Sequence, residues 1–99
     1  MYITQLVYIL DGREKIFNEF ETIVIPIISN YNGRLMTRIR PTDDSIIDCN
    51  IEKPYEIHLV EFNSHEDFED YQKDKVRTKF LHLKIKSIKS TMLIEGTEL

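Results

Sequence analysis

The clearest hydrophobic pattern lies in the middle of the chain, where it predicts a strand followed directly by a helix. Residues 55–62 are dense in β-branched, aliphatic and aromatic side chains, which is typical of a buried strand. Ser64 is the predicted N-cap of the helix, and Asp67 follows where a carboxylate can complete the cap and meet the helix dipole. Phe68 and Tyr71 then recur at helical spacing. We expect the rest of the chain to complement this unit.

Residues 2–10 predict a first strand that is apolar on both of its faces. Such a strand is typical of a sheet that is covered on both sides, so we expect something besides the chain's own helices to pack on this sheet. One face carries Ile3, Val7 and Ile9, and the other carries Tyr2, Leu6, Tyr8 and Leu10.

The segment after the first strand supports two interpretations. Residues 22–29 are dense in β-branched residues and contain Pro26, which favours a strand. The predicted N-cap Asp11, with Glu14 at the third helical position, and the 3.6-residue period that begins at Ile16 favour a helix. We expect one long helix that is kinked near the proline and ends at the Asn-Gly pair behind it.

Two more strands and a second helix complete the predicted order. Residues 34–40 alternate between apolar and polar side chains and predict a half-buried outer strand. The second helix is predicted to break near residues 73–75 and to resume afterwards, and residues 90–95 predict a last strand. On the outer strand, alternation places Leu35, Thr37 and Ile39 on one face and Arg34, Met36, Arg38 and Arg40 on the other.

The order strand, helix, strand, strand, helix, strand predicts an α+β fold. With right-handed crossovers, this order of elements forms the ferredoxin-like β-α-β-β-α-β sandwich, which is a four-stranded antiparallel sheet with two helices on one face. The other sheet face is expected to be too apolar for water, because it would carry part of the last strand together with Val7, Ile9, Met36 and Val60. A homodimer that pairs these open sheet faces through a two-fold axis is the expected solution.

The composition and charge of the chain exclude several classes of function. The 99 residues suit one domain, residues 1–99, and 41% hydrophobic with 30% charged residues describes an ordinary globular chain. The net charge of −4 argues against general nucleic-acid binding, and Ile57 and Leu59 offer no flat ring where RNA-recognition domains of this topology stack bases. Cys49 is the only cysteine, which excludes an internal disulfide. Without a signal segment or a membrane-length apolar run, we expect a cytoplasmic protein with no membrane partner.

Two motifs match the pattern of a known superfamily. The predicted first helix ends before residues 32–34 (Asn-Gly-Arg), and the central strand ends in residues 60–64 (Val-Glu-Phe-Asn-Ser), with Phe68 and Tyr71 behind it. Over essentially its whole length the chain resembles the dimeric α/β-barrel superfamily. The resemblance is nearest to small uncharacterised families, and more distant to antibiotic-biosynthesis-type monooxygenases and haem-degrading enzymes. It implies a dimeric α/β barrel.

The resemblance also implies residues of a cavity. In haem-degrading members, an asparagine on the first strand, a tryptophan on the second helix and a histidine slightly further on line the cavity. This chain has Gln5 and Tyr71 at the first two positions, and His82 at the third if a one-residue shift is allowed. Because two of the three differ, neither haem degradation nor a cofactor is predicted. We expect Gln5, Tyr71 and His82 to face one cavity; the alternative is a core Tyr71 and a solvent-exposed His82.

His58 lies inside the central strand, where a neutral imidazole could act as a base near pH 7 or bind a metal. The commoner alternative is a buried histidine that is satisfied by a backbone carbonyl or by a neighbour such as Glu56. No second histidine or aspartate stands at metal spacing, so no metal site is predicted. His65, just inside a helix start, is expected at the surface.

The arginines of the outer strand are the remaining candidates. They could bind a carboxylate or phosphate at the mouth of a cavity, which makes Arg38 a candidate ligand-binding residue. Phe62, at the end of the central strand, is a second candidate ligand-binding residue. They could equally protect the edge of the sheet or pair with acids of a partner subunit.

Two functions from different classes remain open. The first is a cofactor-independent monooxygenase or isomerase that acts on a small aromatic or apolar molecule. In it His58 or His82 withdraws a proton, and Gln5 or Tyr71 binds the developing oxyanion. The second is a non-enzymatic module for small-ligand binding or assembly, which would be stabilised by its ligand without turnover.

Overall fold

The computed structural model describes residues 1–98, and their backbone alternates strands and helices in the predicted order. No helix in this part of the chain is long and apolar enough to cross a membrane. The elements are β1 (Tyr2–Ile9), α1 (Glu14–Val24), a 3-10 helix (Ile25–Tyr31), β2 (Gly33–Ile39), a 3-10 turn (Asp43–Ser45), β3 (Glu56–Phe62), α2 (His65–Gln72), α3 (Lys75–Lys79), α4 (Leu81–Ser87) and β4 (Ile88–Gly96).

The four strands form one antiparallel sheet in the order β2-β3-β1-β4. This order confirms the ferredoxin-like fold, and it confirms β2 as an outer strand. In the centre of the sheet, Gln5 of β1 pairs with His58 of β3 and with Leu93 of β4. Because paired residues of antiparallel strands point to the same side, these three side chains lie together on the helix-covered face.

The open face of the sheet carries different residues from those predicted. Val7 and Val60 were expected there, but they are 1% and 7% exposed and pack on the side of the helices. Both faces of β1 are apolar, so a period of two residues separates the faces without telling which one the helices cover. The open face is apolar all the same, and carries Leu6, Ile39, Ile57, Leu59, Met92 and Ile94.

A β-bulge in β2 corrects the predicted faces of this strand. Leu35 pairs with Val60, but Thr37 pairs with the very next residue of β3, so one extra residue is inserted at Met36. A bulge of this kind reverses the side to which every later residue points. Leu35 therefore packs against the core, whereas Thr37 lies towards the open face. Arg38 is brought beside His58, on the helix-covered face.

The first helix also departs from prediction at its start. Asp11 does not cap it; α1 begins at Glu14 with Arg13 at the N-cap position, and Gly12 makes the preceding turn with a φ of 77°. The predicted helix through residues 22–29 is confirmed, although it tightens into the 3-10 helix at Pro26. The cause is that proline has no N–H to donate to the helix.

Asn32 and Gly33 together end the 3-10 helix. Asn32, rather than the glycine, takes the left-handed conformation, with a φ of 56°. Gly33 is needed for close packing, because a Cβ there would lie 2.6 Å from the Phe62 ring. The predicted Asn-Gly stop is therefore confirmed, with the two roles divided between its residues.

The second helical region is broken as predicted, and the break positions part of the site. Ser64 caps α2 by accepting a hydrogen bond from the Asp67 backbone N–H at 3.1 Å. After α2 ends, Asp74 caps α3 by accepting from the Arg77 N–H at 2.9 Å. Two apolar clusters then form under the helices, one around Phe62, Phe68 and Tyr71 and the other around Phe20, Val24 and Leu83.

Candidate functional site

A cavity of about 130 Å³ lies between the sheet and the helices, and its walls include members of both apolar clusters. An apolar cavity of about 150 Å³ holds benzene, so this one suits a molecule the size of a single six-membered ring. Polar side chains interrupt the apolar wall at Gln5, Glu21, His58, Tyr71, Gln72, Arg77, Lys84 and Thr91.

Glu21 is the buried acid of the cavity wall. It lies on the inner stripe of α1 with Phe17, Phe20 and Val24, and it is 5% exposed. Burial raises the pKa of its carboxyl group from 4.5 to about 6, with the positive charge of His58 acting against the rise. A carboxyl group with this pKa can gain and lose a proton close to neutral pH.

Glu56, at the start of β3, is a buried acid of the opposite kind. Arg38 Nε and Arg40 Nε each donate a hydrogen bond to it at 2.9 Å, one to each carboxylate oxygen. Burial alone would raise the pKa of Glu56, but the hydrogen bonds from His58, Arg38 and Arg40 outweigh it and lower the pKa to about 2. Glu56 is therefore a permanent anion at neutral pH.

His58 links the two acids. Its Nε2 contacts Glu56 Oε2 in a short hydrogen bond and lies 3.7 Å from Glu21 Oε2. Because the Glu56 carboxylate is ionised and can only accept, Nε2 carries the hydrogen and donates it. This bond fixes the imidazole beside the cavity, where Gln5 stands opposite it on the neighbouring strand.

Glu21, Glu56 and His58 lie close enough together to be considered as ligands of a metal ion. Ligand atoms of Glu21, Glu56 and His58 lie within 4.8 Å of one another, which would allow an ion. However, both oxygens of Glu56 already accept from arginine, and an added cation would sit beside two guanidinium groups. The charges present therefore fit a protein-only hydrogen-bond network better than a metal centre.

Arg77 and Lys84 bring positive charge to the cavity lining. The Arg77 guanidinium lies 5.2 Å from the centre of the Tyr71 ring, and its Nη1 donates to Gln72 O at 3.2 Å. Its Nε is buried and has no hydrogen-bond partner among the residues described. Burial, assisted by the charge of Arg77, lowers the pKa of Lys84. Neither cation forms a salt bridge within residues 1–98.

The structure brings four of the sequence-predicted residues to this cavity, namely Gln5, His58, Phe62 and Tyr71. The Tyr71 hydroxyl already donates to Val24 O at 3.2 Å, so its proton is not free for a ligand. Arg38 lies behind the wall, bound to Glu56. His82 is solvent-exposed on α4 and is not part of the cavity lining, which agrees with the alternative considered for it.

Three charged cavity residues were not among the sequence candidates, and two of them have a signal in the sequence. Glu21 is a charge in the middle of the apolar stripe of α1, and Lys84 follows Phe80 by four residues on the inner side of α4. Arg77 carries no such signal, because its place depends on how α3 is capped after the break.

Comparison with solved structures supports the fold. A protein of unknown function from Rhodopseudomonas palustris superposes with a TM-score of 0.81 and 13% identity, over 99% of this chain and 81% of its own. A protein from Bacteroides thetaiotaomicron, provisionally assigned as an antibiotic biosynthesis monooxygenase, gives 0.74 and 12%, over 100% and 89%. A dimeric protein of unknown function with a ferredoxin-like fold, from Bacteroides fragilis, gives 0.67 and 11%, over 94% and 90%.

No protein-family model and no curated protein matches the chain. At these low identities the similar structures establish the ferredoxin-like fold that the resemblance implied, and nothing about chemistry.

Proposed function

We propose that this protein is a cofactor-independent enzyme that moves a proton on a ring-sized apolar molecule, with Glu21 as the base. One observation carries the proposal: the buried Glu21 carboxyl group lines the cavity 3.7 Å from His58, and burial raises its pKa to about 6. Acids and bases that are tuned towards neutral pH concentrate at catalytic sites. The proposal transfers the role of base from His58 to its neighbour.

The chemical step uses groups that line the cavity. A C–H bond next to a carbonyl group breaks, its proton passes to the Glu21 carboxylate, and its electron pair moves into an enolate. The side-chain amide of Gln5, which lines the cavity and pairs with His58 across the strands, would donate to the enolate oxygen. Return of the proton to another carbon completes an isomerisation without a co-reactant.

His58 is a positioning residue in this scheme. Glu56, which is held ionised by two arginines, fixes the imidazole, and the imidazole in turn lies 3.7 Å from the base. Its charge when protonated favours the ionised form of Glu21, which keeps the pKa of that carboxyl group from rising further.

A monooxygenase reaction is the second outcome of the same step. Its support is that two structurally similar proteins are provisionally assigned as antibiotic biosynthesis monooxygenases. In that case the enolate would react with dioxygen as the co-reactant instead of regaining a proton. Consumption of oxygen distinguishes the two outcomes.

We further propose that two copies pair through their open sheet faces. The face exposes Ile39, Met92 and Ile94 by 46–49%, which is unusual for large apolar side chains in a folded protein. One structurally similar protein is described as dimeric. Leu59→Lys, in the centre of this face, is expected to give a monomer in light scattering, whereas Ile85→Lys on exposed α4 should leave the dimer intact. A monomeric unmodified protein would contradict this pairing.

The test of activity uses a ring-sized probe, the conversion of cyclohex-3-enone to its conjugated isomer, followed by ultraviolet absorbance. We expect acceleration over buffer that falls about 10²- to 10⁴-fold in Glu21→Gln. Glu19→Gln makes the same neutral replacement at an exposed position of the same helix. It is the matched control and should keep full activity. A parallel measurement of deuterium uptake from D₂O by other six-membered ketones extends the test.

If Glu21→Gln is as active as the unmodified protein, the base is not Glu21. If no ring-sized ketone is isomerised or exchanged faster than in buffer, the result favours the non-enzymatic alternative. Stabilisation by such ligands without turnover would then identify a small-ligand-binding module.

A further inference from the structure

The lining of the cavity includes two cationic side chains that form no salt bridge with the described residues. Arg77 and Lys84 line it, and neither has an acidic partner within residues 1–98. Asp74, three residues before Arg77, is bound elsewhere, because it caps α3 and accepts from the Tyr31 hydroxyl at 2.5 Å. With Glu21 ionised, the two cations leave one positive charge without a counterpart in the cavity.

Arg77 is held in a way that leaves a buried donor of its guanidinium without a partner among the residues described. Its backbone is fixed by Asp74, its guanidinium stacks over the Tyr71 ring, and its Nη1 is bound to Gln72 O. The Nε N–H is buried without a partner. An unpaired buried donor on a charged group is costly in an unliganded fold, and a negatively charged ligand beside the guanidinium would offset part of that cost.

We propose that the molecule bound in this cavity is a ring-sized carboxylate whose acid group pairs with Arg77 and Lys84. The remaining wall is apolar, formed by Ile3, Phe20, Val24 and Phe62 among others, and suits the ring. A single negative charge balances the excess, whereas a doubly charged phosphate would exceed it and be repelled by Glu21. The carboxylate matches the donor geometry of a guanidinium.

This inference deepens the proposed function, because it names the substrate class of the same cavity. The acid group would anchor the ring, leaving the carbon to be deprotonated on the side of Glu21. The ketone probe above carries no carboxylate, so proton transfer and acid recognition are measured independently.

The experiment is a calorimetric titration of the full chain with benzoate and with benzamide, which has nearly the same shape and no charge. We expect benzoate to bind and benzamide to bind at least about tenfold more weakly. Arg77→Gln and Lys84→Gln should each weaken benzoate about 10- to 100-fold while leaving benzamide unchanged. Lys86→Gln, an exposed lysine of α4, is the matched control and should bind benzoate as the unmodified protein does.

Equal binding of benzoate and benzamide, failure of both to bind, or unchanged benzoate affinity in both Arg77→Gln and Lys84→Gln would overturn the inference. Tight binding of inorganic phosphate in place of benzoate would also overturn it. Circular dichroism of each variant separates a folding defect from lost recognition, and Arg77→Lys, which keeps the charge, supplies a second variant expected to retain part of the affinity. If benzoate fails but Glu21→Gln abolishes ketone isomerisation, the proposed function stands and the substrate class falls.

Discussion

Glu56 and Glu21 are buried glutamates that approach the same imidazole from two elements of the fold, yet their carboxyl groups are opposite in character. Glu56 is 1% exposed and has a pKa of about 2, whereas Glu21 is 5% exposed and has a pKa of about 6. Burial alone would raise both. The difference arises from hydrogen bonds that His58, Arg38 and Arg40 make with the carboxylate of Glu56 and that Glu21 lacks within residues 1–98.

The difference separates a structural role from a chemical one. A carboxylate that stays ionised across physiological pH can orient a histidine but cannot exchange a proton, whereas one near pH 6 can do so. In this site the first acid fixes His58, and His58 lies beside the second acid. Two carboxyl groups whose pKa values are driven apart by their surroundings are a recurrent arrangement in acid–base catalysis.

The largest expected effect comes from removing the ionised member of the pair. Glu56→Ala leaves His58, Arg38 and Arg40 without their shared acceptor, and should destabilise the fold by about 3–5 kcal/mol in urea unfolding. Glu61→Ala is the matched control on the same strand, because Glu61 pairs with a surface arginine that is 68% exposed. It should cost at most about 1 kcal/mol. Equal losses in the two variants would mean that Glu56 is not the centre of a buried network.

Much of this arrangement follows from local patterns in the sequence. The Ser64 cap, the irregularity of the helix at Pro26 and the break before α3 each depend on residues close together in the chain, and the sequence predicted a cap, a kink and a break at these places. Glu56 was one of the neighbours expected to satisfy a buried His58, and in β3 the two residues lie on one side of the strand.

The parts that were missed depend on register and on long-range packing. The bulge at Met36 brings Arg38 and Arg40 to Glu56, and no period in the sequence reveals one inserted residue. The choice of the buried face of β1 is likewise made by the helices rather than by the strand. Glu21 shows that a charged residue within an apolar helical stripe is a better indicator of a cavity residue than a histidine on an exposed helix face.

Acid should unfold the protein through Glu56. Its pKa is lowered from 4.5 to about 2 in the folded state, so the stability it contributes is present above pH 4.5 and is lost as pH falls towards 2. The shift corresponds to about 3 kcal/mol. We expect the free energy of unfolding, measured by urea titration at a series of pH values, to fall over this window. In Glu56→Gln the decline should be reduced by that amount, and an unchanged decline would exclude Glu56 as its source.

Glu21 should act in the opposite direction and more weakly. Its pKa is raised from 4.5 to about 6, so the stability it contributes is present below pH 4.5 and is lost as pH rises through 6. Glu21→Gln should therefore be about 2 kcal/mol more stable than the unmodified protein at pH 8, with the gain vanishing at pH 4. Glu19→Gln should show no such pH-dependent gain. A destabilised Glu21→Gln at pH 8 would show that the ionised acid has a stabilising partner.

The smallest expected effect tests whether the two arginines share the clamp on Glu56. Arg40 donates at 2.9 Å, but its side chain is 47% exposed, whereas that of Arg38 is 32% exposed. Solvent screening should limit the cost of Arg40→Gln to about 1 kcal/mol at neutral pH. The remaining arginine holds Glu56 less firmly, so the pKa of Glu56 should rise and the acid decline should begin at a higher pH. Arg34→Gln, which removes a surface arginine of β2, should leave the position of that decline unchanged. An equal displacement would attribute the effect to net charge rather than to the loss of a hydrogen bond to Glu56.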